Sequence, residues 1–194
     1  MKHDQLRQKA PRKNRAIGNL LCQNTIPQSL CKTIFASSRY GNVVGSSGSV
    51  VPLFIKQKEQ GEITITDEKM TRFWITLPQG VRFVIQCIEN MKGWEIFVPK
   101  IPSMKITDLA EVVAPGVKRK ITGIRPGEKL HEALLTSDEA RQTVEFDSYF
   151  VIEPEFAFWK EGDTKPSKPF VAEGFSYTSD NNKQWFSTED FKKM

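Results

Sequence analysis

The feature that most constrains the fold is a glycine- and serine-rich stretch between two apolar runs. It reads Arg39-Tyr40-Gly41-Asn42-Val43-Val44-Gly45-Ser46-Ser47-Gly48-Ser49. The run before it, residues 33–38, predicts a buried strand, and residues 50–55 predict the start of a helix that Gly61 ends. A strand, a small-residue loop and a helix N-terminus can together bind an anion, because free backbone N–H groups point at the ligand. The glycine spacing is not that of a dinucleotide-binding fingerprint, so a plain connecting loop is the alternative.

Strand and helix patterns alternate after residue 33, which predicts an α/β fold with a partly parallel sheet. Thr76 to Gln79 form a capping-box pattern with a proline in the first turn, which predicts a helix. Apolar residues then recur at helical spacing and are predicted to face the core: Val81, Val84, Ile85, Ile88 and Met91. A further helix is predicted up to about Gln142. Beyond Glu153 the chain is predicted to be irregular, with little core. Its aromatic residues are the candidates for packing it against the body: Phe170, Phe175, Tyr177, Trp185 and Phe186.

Charge and cysteine content narrow the functional classes. Residues 1–32 contain seven Lys or Arg and one Asp, a net +6, whereas the rest contains 21 basic and 22 acidic residues, a net −1. The basic excess therefore lies in the first segment, and the rest of the chain is nearly neutral. This charge distribution argues against nucleic-acid binding as the main function. Three cysteines without a C-x-x-C pair indicate free thiols in a reducing compartment, and no metal site is predicted. The sequence shows neither a signal peptide nor a membrane span, so the cytoplasm is expected.

Four motifs in order carry a resemblance to a known family. They are Arg39 to Ser46, Met70-Thr71-Arg72-Phe73-Trp74-Ile75-Thr76, Glu95 to Met104, and Gly123-Ile124-Arg125-Pro126-Gly127-Glu128-Lys129-Leu130-His131-Glu132. Together they resemble the inverting UDP-N-acetylglucosamine 4,6-dehydratases, which are extended short-chain dehydrogenases/reductases that open the route to pseudaminic acid. The resemblance runs from about Thr33 to the end and covers the C-terminal half or so of such an enzyme. Residues 1–32 are predicted to be an unmatched basic segment, a product of truncation or a frame shift; a new start with a diverged leader is the alternative.

The resemblance implies a fold, a cofactor and a substrate. Residues 33–194 are expected to form the C-terminal part of an NAD(P)-binding Rossmann-like fold with its smaller substrate-binding lobe. The implied substrate is UDP-N-acetylglucosamine or a related UDP-sugar, the implied cofactor is NADP, and the family is expected to form homo-oligomers. Neither nucleic acid nor a membrane is an expected partner.

The resemblance also assigns residues. Asn42, Val50, Thr66, Arg125 and Asn182 are implied to contact the substrate, and Val43, Val44, Gly45, Ser46 and Ser47 the nicotinamide side of the cofactor. Without the resemblance, Arg125 could equally be a surface arginine paired with Glu128, and Asn42 could be a turn residue. Ser47 replaces an arginine that the family usually has, which weakens any anion contact of the loop. Arg72 is interpreted as structural, because the aromatic residues around it are expected to pack.

The catalytic pattern of the family is absent from this sequence. It contains no Y-x-x-x-K and no G-x-G-x-x-G, so no catalytic residue is assigned. The chain is therefore expected to be inactive alone, to expose apolar surface, and to express poorly or associate. A nucleotide-sugar-binding module without catalysis is the alternative, and a basic-tailed nucleic-acid-binding protein on a recycled fold is a third.

Overall fold

The computed structural model describes residues 34–46, 48–155 and 168–192. Within these residues the α-helices are α1 (Val50–Glu59), α2 (Leu77–Asn90), α3 (Ile106–Val113) and α4 (Thr188–Lys192), and a 3₁₀ helix spans Asp138–Gln142. The strands are β1 (Ser37–Ser38), β2 (Asn42–Val43), β3 (Glu62–Ile65), β4 (Thr71–Ile75), β5 (Ile96–Pro99), β6 (Ser103–Lys105), β7 (Lys118–Ile121), β8 (Ala133–Leu135), β9 (Thr143–Glu145), β10 (Tyr149–Ile152) and β11 (Tyr177–Thr178).

The strands form mixed parallel and antiparallel sheets, as expected for an α/β fold. One sheet has the order β1-β5-β10-β9, in which β1 and β5 are parallel and β10 is antiparallel to both its neighbours. Strand β2 runs parallel to β4, which pairs on its other side with β6. Strands β3 and β7 form a separate parallel pair. The parallel pairs bring the carboxyl ends of strands that are distant in the sequence to common edges.

Helix α2 begins as the sequence predicts. Thr76 Oγ1 accepts a hydrogen bond from the Gln79 N–H, and the Gln79 side chain accepts one from the Thr76 N–H, so the capping box is complete. Its buried face, with Phe83 and Cys87, packs beside Phe97 of β5. Burial raises the pKa of the Cys87 thiol to about 11, so this cysteine is a core residue rather than a nucleophile.

The prediction that the apolar repeat of α2 faces the core is wrong for most of its members. Val81, Ile85 and Ile88 are 50%, 50% and 60% exposed, while Val84 and Met91 are half-buried. The four exposed residues form the apolar stripe of α2, at spacings of four, four and three residues: Leu77, Val81, Ile85 and Ile88. Periodicity identified the helix, but α2 is apolar around more than one face, and only the face with Phe83 and Cys87 meets the sheet.

Two more predictions need correction. Of residues 33–38 only Ser37 and Ser38 are in a strand, and Ile34 and Phe35 are exposed rather than buried, whereas Thr33 lies outside the described residues. The helix predicted up to Gln142 is instead β8 followed by the short 3₁₀ helix. Leu134 and Leu135 are both buried because β8 is covered on both faces and pairs with β11 from the C-terminal segment.

The C-terminal segment contributes more core than its composition indicates. Tyr177 packs among Phe73, Leu135 and Phe150, and its hydroxyl donates a hydrogen bond to the Ile101 carbonyl at 2.8 Å. Phe191 of α4 packs edge-on against Trp74. The prediction of little core beyond Glu153 is therefore wrong for residues 175–191, which close two apolar clusters.

Candidate functional site

A cavity of about 520 Å³ opens where β2, β3 and β7 end and where α1 begins. We call it the site cavity. It is lined by Gly41, Asn42, Val43, Ser46, Gly48, Ser49, Val50, Leu53, Phe54, Thr64, Ile65, Thr66, Met70, Arg72, Trp74, Ile106, Thr122, Arg125 and Glu128. Its charged residues are two arginines and one glutamate, so its lining is net positive. A cavity of this size is within the range that holds a small ligand.

Asn42 reaches the site cavity because β2 lies directly against β4. Asn42 is opposite Trp74 in the parallel register, and the Val44 N–H donates to the Ile75 carbonyl at 2.9 Å. Gly41 permits this approach, since a Cβ at Gly41 would lie 2.5 Å from Phe73 Cβ. Arg39 fixes the chain just before it, through an ion pair with Glu139 at 2.9 Å and a hydrogen bond to the Leu134 carbonyl. Half-buried Asn42 thus lies near the carboxyl end of the parallel strand β4, and the carboxyl ends of parallel strands are where α/β proteins bind ligands.

Arg125 enters the site cavity from the opposite strand pair. It lies in the arginine loop, residues 123–128, which follows β7 and turns at Gly127 with φ +80°. The Glu128 N–H donates to the Arg125 carbonyl at 3.0 Å, and the Arg125 N–H approaches the Glu128 carboxylate at 3.4 Å. The Arg125 guanidinium makes no hydrogen bond or ion pair to the described part of the chain. Arg125 is exposed, as in the alternative interpretation, but its pairing with Glu128 is made by the backbone N–H and not by the guanidinium.

The N-terminus of α1 forms a third wall. Ser49 is its N-cap residue, but its side chain makes no capping hydrogen bond. Ser49 Oγ and Trp74 Nε1 are buried without a hydrogen-bond partner among the described residues, and both residues line the site cavity. Buried polar atoms are nearly always paired, so these two mark the wall at which a ligand oxygen could complete the hydrogen bonding. Sequence reasoning did not single out either residue.

The structure brings together most of the predicted residues. Asn42, Val43, Ser46, Val50, Thr66 and Arg125 all line the site cavity. Val44 packs against the neighbouring core and Gly45 is exposed at the turn, and neither lines it. Ser47 lies outside the described residues. The positive φ of Gly45 and Gly48 and the open space around both leave room beside the loop for a bound group.

Asn182 lies elsewhere. Its Nδ2 donates to the Ile101 carbonyl at 2.8 Å and to Ser103 Oγ at 2.9 Å, and its Oδ1 accepts from the Gln184 N–H. The residue is buried and lines a second cavity of about 600 Å³, beside Tyr177 and Phe175. These bonds connect the C-terminal segment to β6, and contact between Asn182 and a substrate stays a prediction.

Comparison with known proteins decides the family. The model of the polysaccharide biosynthesis protein family matches residues 13–154. The chain belongs to this family. The match begins inside residues 1–32. The domain boundary near Thr33 stays a prediction.

Relatives and a solved structure agree with this assignment. The chain is 52% identical to a UDP-N-acetylglucosamine 4,6-dehydratase (inverting) of Campylobacter jejuni, over 84% of this chain and 51% of that protein. It is 35% identical to a UDP-glucose 4-epimerase of Rickettsia canadensis, over 86% of this chain and 50% of that protein. The X-ray structure of Pen from Bacillus thuringiensis matches with a TM-score of 0.70 and 36% identity, over 86% of this chain and 50% of that one. The likeness confirms the predicted α/β fold of extended short-chain dehydrogenase/reductase type.

The chain spans about half the length of the curated relatives it matches. Among the described residues no helix is long and apolar enough to cross a membrane. In the same part of the chain no three His, Cys, Asp or Glu side chains lie close enough together to hold a metal ion.

Proposed function

We propose that the site cavity binds the diphosphate and adjoining sugar of UDP-N-acetylglucosamine or a related UDP-sugar. The observation that carries this proposal is the Arg125 guanidinium, a cation without a partner among the described residues that lines the same net positive cavity as Asn42. An arginine offers a planar fork of donors that matches phosphate oxygens. An asparagine amide both donates and accepts, which suits a sugar hydroxyl.

The chain would act as the C-terminal part of an inverting 4,6-dehydratase. The similarity to the Campylobacter jejuni enzyme supports this interpretation. Because the sequence contains no Y-x-x-x-K, the proposed role is limited to binding. In such an enzyme NADP supplies the hydride acceptor, and residues 43–46, at the end of β2 and in the turn after it, would hold its nicotinamide end. The residues of this chain would bind and orient the sugar, while the groups that move protons would come from sequence that this chain does not contain. The chain alone is therefore expected to bind without turnover, which is also what a non-catalytic binding module would do.

Calorimetric titration of the folded chain with UDP-N-acetylglucosamine tests the proposal. We expect saturable binding that falls roughly 10- to 100-fold in Arg125→Ala, because a hydrogen bond to a charged group contributes about 1.5–3 kcal/mol. Arg82→Ala is the matched control, since Arg82 is an exposed arginine of α2 outside the site cavity. A flat titration of wild-type protein that melts cooperatively would rule the site out. Equal weakening by both variants would show that the effect is one of overall charge.

Turnover separates the two readings of the bound state. The chain is mixed with NADP and the UDP-sugar, alone and together with the separately expressed N-terminal half of the Campylobacter jejuni relative. Dehydrated product only in the mixture supports the dehydratase part. Tight binding without product in either sample supports the binding module.

A further inference from the structure

Arg72 is a buried cation in the wall of the site cavity. It lies in the middle of β4, and its side chain is 11% exposed. Its Nη1 donates to the carbonyl oxygens of Thr71 and Leu130, at 2.7 and 2.9 Å, and its Nη2 donates to that of Lys129 at 2.8 Å. Its Nε lies 3.6 Å from the Glu132 carboxylate. Two of these three hydrogen bonds are thus made to the backbone of one short segment, residues 129 and 130.

That segment directly follows the arginine loop. Residues 129 and 130 are the first two after Glu128, and the Thr71 N–H also donates to the Leu130 carbonyl at 3.2 Å. The other end of the loop is held by the pairing of β3 with β7 and by the Thr122 N–H, which donates to the Ile65 carbonyl at 2.9 Å. The loop that carries Arg125 is therefore exposed in the middle and anchored at both ends. Arg72 contributes two hydrogen bonds to the second anchor.

The same anchor reaches the C-terminal segment. Ser179 Oγ lies 2.7 Å from Thr71 Oγ1 and accepts a hydrogen bond from the Glu132 N–H at 2.9 Å. Thr71 Oγ1 also lies 2.7 Å from His131 Nδ1. Residues 129–132 are thus fixed from β4 on one side and from Ser179 on the other.

The planar fork of an arginine suits this arrangement better than a lysine does. The rigid guanidinium fork spans two successive carbonyl oxygens, whereas a lysine presents a single ammonium group on a flexible chain. A lysine at this position would keep the positive charge of the cavity wall and lose the simultaneous bonds to Lys129 and Leu130. Arg72→Lys therefore separates the effect of the positive charge from the effect of holding the arginine loop in place.

We propose that Arg72 is a positioning residue, which acts on the ligand by fixing the arginine loop so that the Arg125 guanidinium stays over the site cavity. The proposal rests on the proposed function for its ligand, but its structural part concerns this chain alone. In a bound state Arg72 would set the geometry of the diphosphate contact rather than make that contact.

A ligand-free measurement tests the structural part. We expect the Glu128 amide, which donates to the Arg125 carbonyl, to exchange its hydrogen at least tenfold faster in Arg72→Lys than in wild type. At the end of α1 the Gln60 N–H donates to the Gln57 carbonyl and the Gly61 N–H to the Lys58 carbonyl. The exchange rates of these two amides should not change. Arg82→Lys is the control. Unchanged exchange at Glu128 in a folded Arg72→Lys protein overturns the proposal, even if no ligand binds.

A double-mutant cycle tests the action on the ligand. Affinity for UDP-N-acetylglucosamine is measured for wild type, Arg72→Lys, Arg125→Ala and the double variant. We expect Arg72→Lys to weaken binding about tenfold in the wild-type background and less than twofold when Arg125 is already alanine. Equal weakening in both backgrounds overturns the proposal, because Arg72 would then contact the ligand itself or loosen the whole domain. Absence of binding in wild type defeats the proposed function and leaves the exchange result to decide the structural part.

A milder variant covers the case in which Arg72→Lys does not fold. Glu132→Gln keeps the shape of the side chain and removes only the charge beside Arg72 Nε. The same acceleration at Glu128, smaller in size, is expected. Wild-type exchange in that variant counts against the proposal.

Discussion

Substitution of Gly41 by alanine should separate β2 from β4 and disturb the site. The added Cβ would lie 2.5 Å from Phe73 Cβ, 2.7 Å from the Phe73 oxygen and 2.9 Å from its carbonyl carbon. Ordinary contact starts near 3.4 Å, so the closest pair must move apart by about 0.9 Å. No rotamer change can relieve this, because two of the three atoms are backbone and the third is Cβ. Overpacking of this kind costs about 1–3 kcal/mol.

Chemical denaturation measures the loss of stability, and ligand titration measures the disturbance of the site. We expect the free energy of unfolding to fall by that amount, with the melting temperature lower by about 2–4 °C for each kcal/mol. Gly80→Ala is the control, because Gly80 lies inside α2 with nothing within 4 Å of its added Cβ, and it should stabilise by about 0.5–1 kcal/mol. Wild-type stability in Gly41→Ala would refute the close approach of the two strands. An equal loss in Gly80→Ala would show that the response is not specific to β2.

Three further predictions concern stability and association. Ser49→Ala should change the free energy of unfolding by less than about 0.5 kcal/mol, whereas Thr76→Ala should cost about 1 kcal/mol, because only Thr76 makes its capping bond; urea denaturation compares them, and an equal cost contradicts the prediction. Burial raises the pKa of Glu139, but the hydrogen bonding and charge of Arg39 and two hydrogen bonds from Thr136 outweigh it, so the pKa is lowered. Its stabilisation is then present above the unfolded pKa and lost as pH falls through the folded pKa, and Glu139→Gln should flatten that acid loss in melts between about pH 6 and 3; an unchanged pH slope contradicts it. Ile85→Glu in the apolar stripe of α2 should reduce association in light scattering at unchanged melting temperature, since Ile85 is half exposed; unchanged association would show that another surface drives it.

The sequence carries enough information for the parts of the site that are local. The order of strand, small residues and helix places Asn42 and Val50 near each other, and the turn residues Pro126 and Gly127 place Arg125 in an exposed loop. Both follow from hydrophobic pattern and turn chemistry within a few residues. The capping box of α2 is local in the same sense.

The rest depends on contacts between distant segments, which pattern does not encode. The role of Arg72 requires that β4 lie beside residues 129 and 130, 57 and 58 positions later. The unpartnered Ser49 hydroxyl cannot be recognised from a sequence in which serine is a favoured N-cap. The prediction that the stripe of α2 faces the core is wrong because periodicity indicates a helix and its apolar face, but not which neighbour covers that face. The strand nature of β8 depends on pairing with β11, some 40 residues away.

The position of Phe191 in the core has a consequence for synthesis. It packs against Trp74, which lies much earlier in the chain, and Tyr177 and Ser179 complete contacts made by Ile101 and Thr71. A chain emerging from the ribosome therefore holds β4 and the walls of the site cavity without these packing partners until residues 177–191 have been translated. Chaperones would meet those apolar surfaces during elongation, and a stop codon before Tyr177 would leave them uncovered permanently.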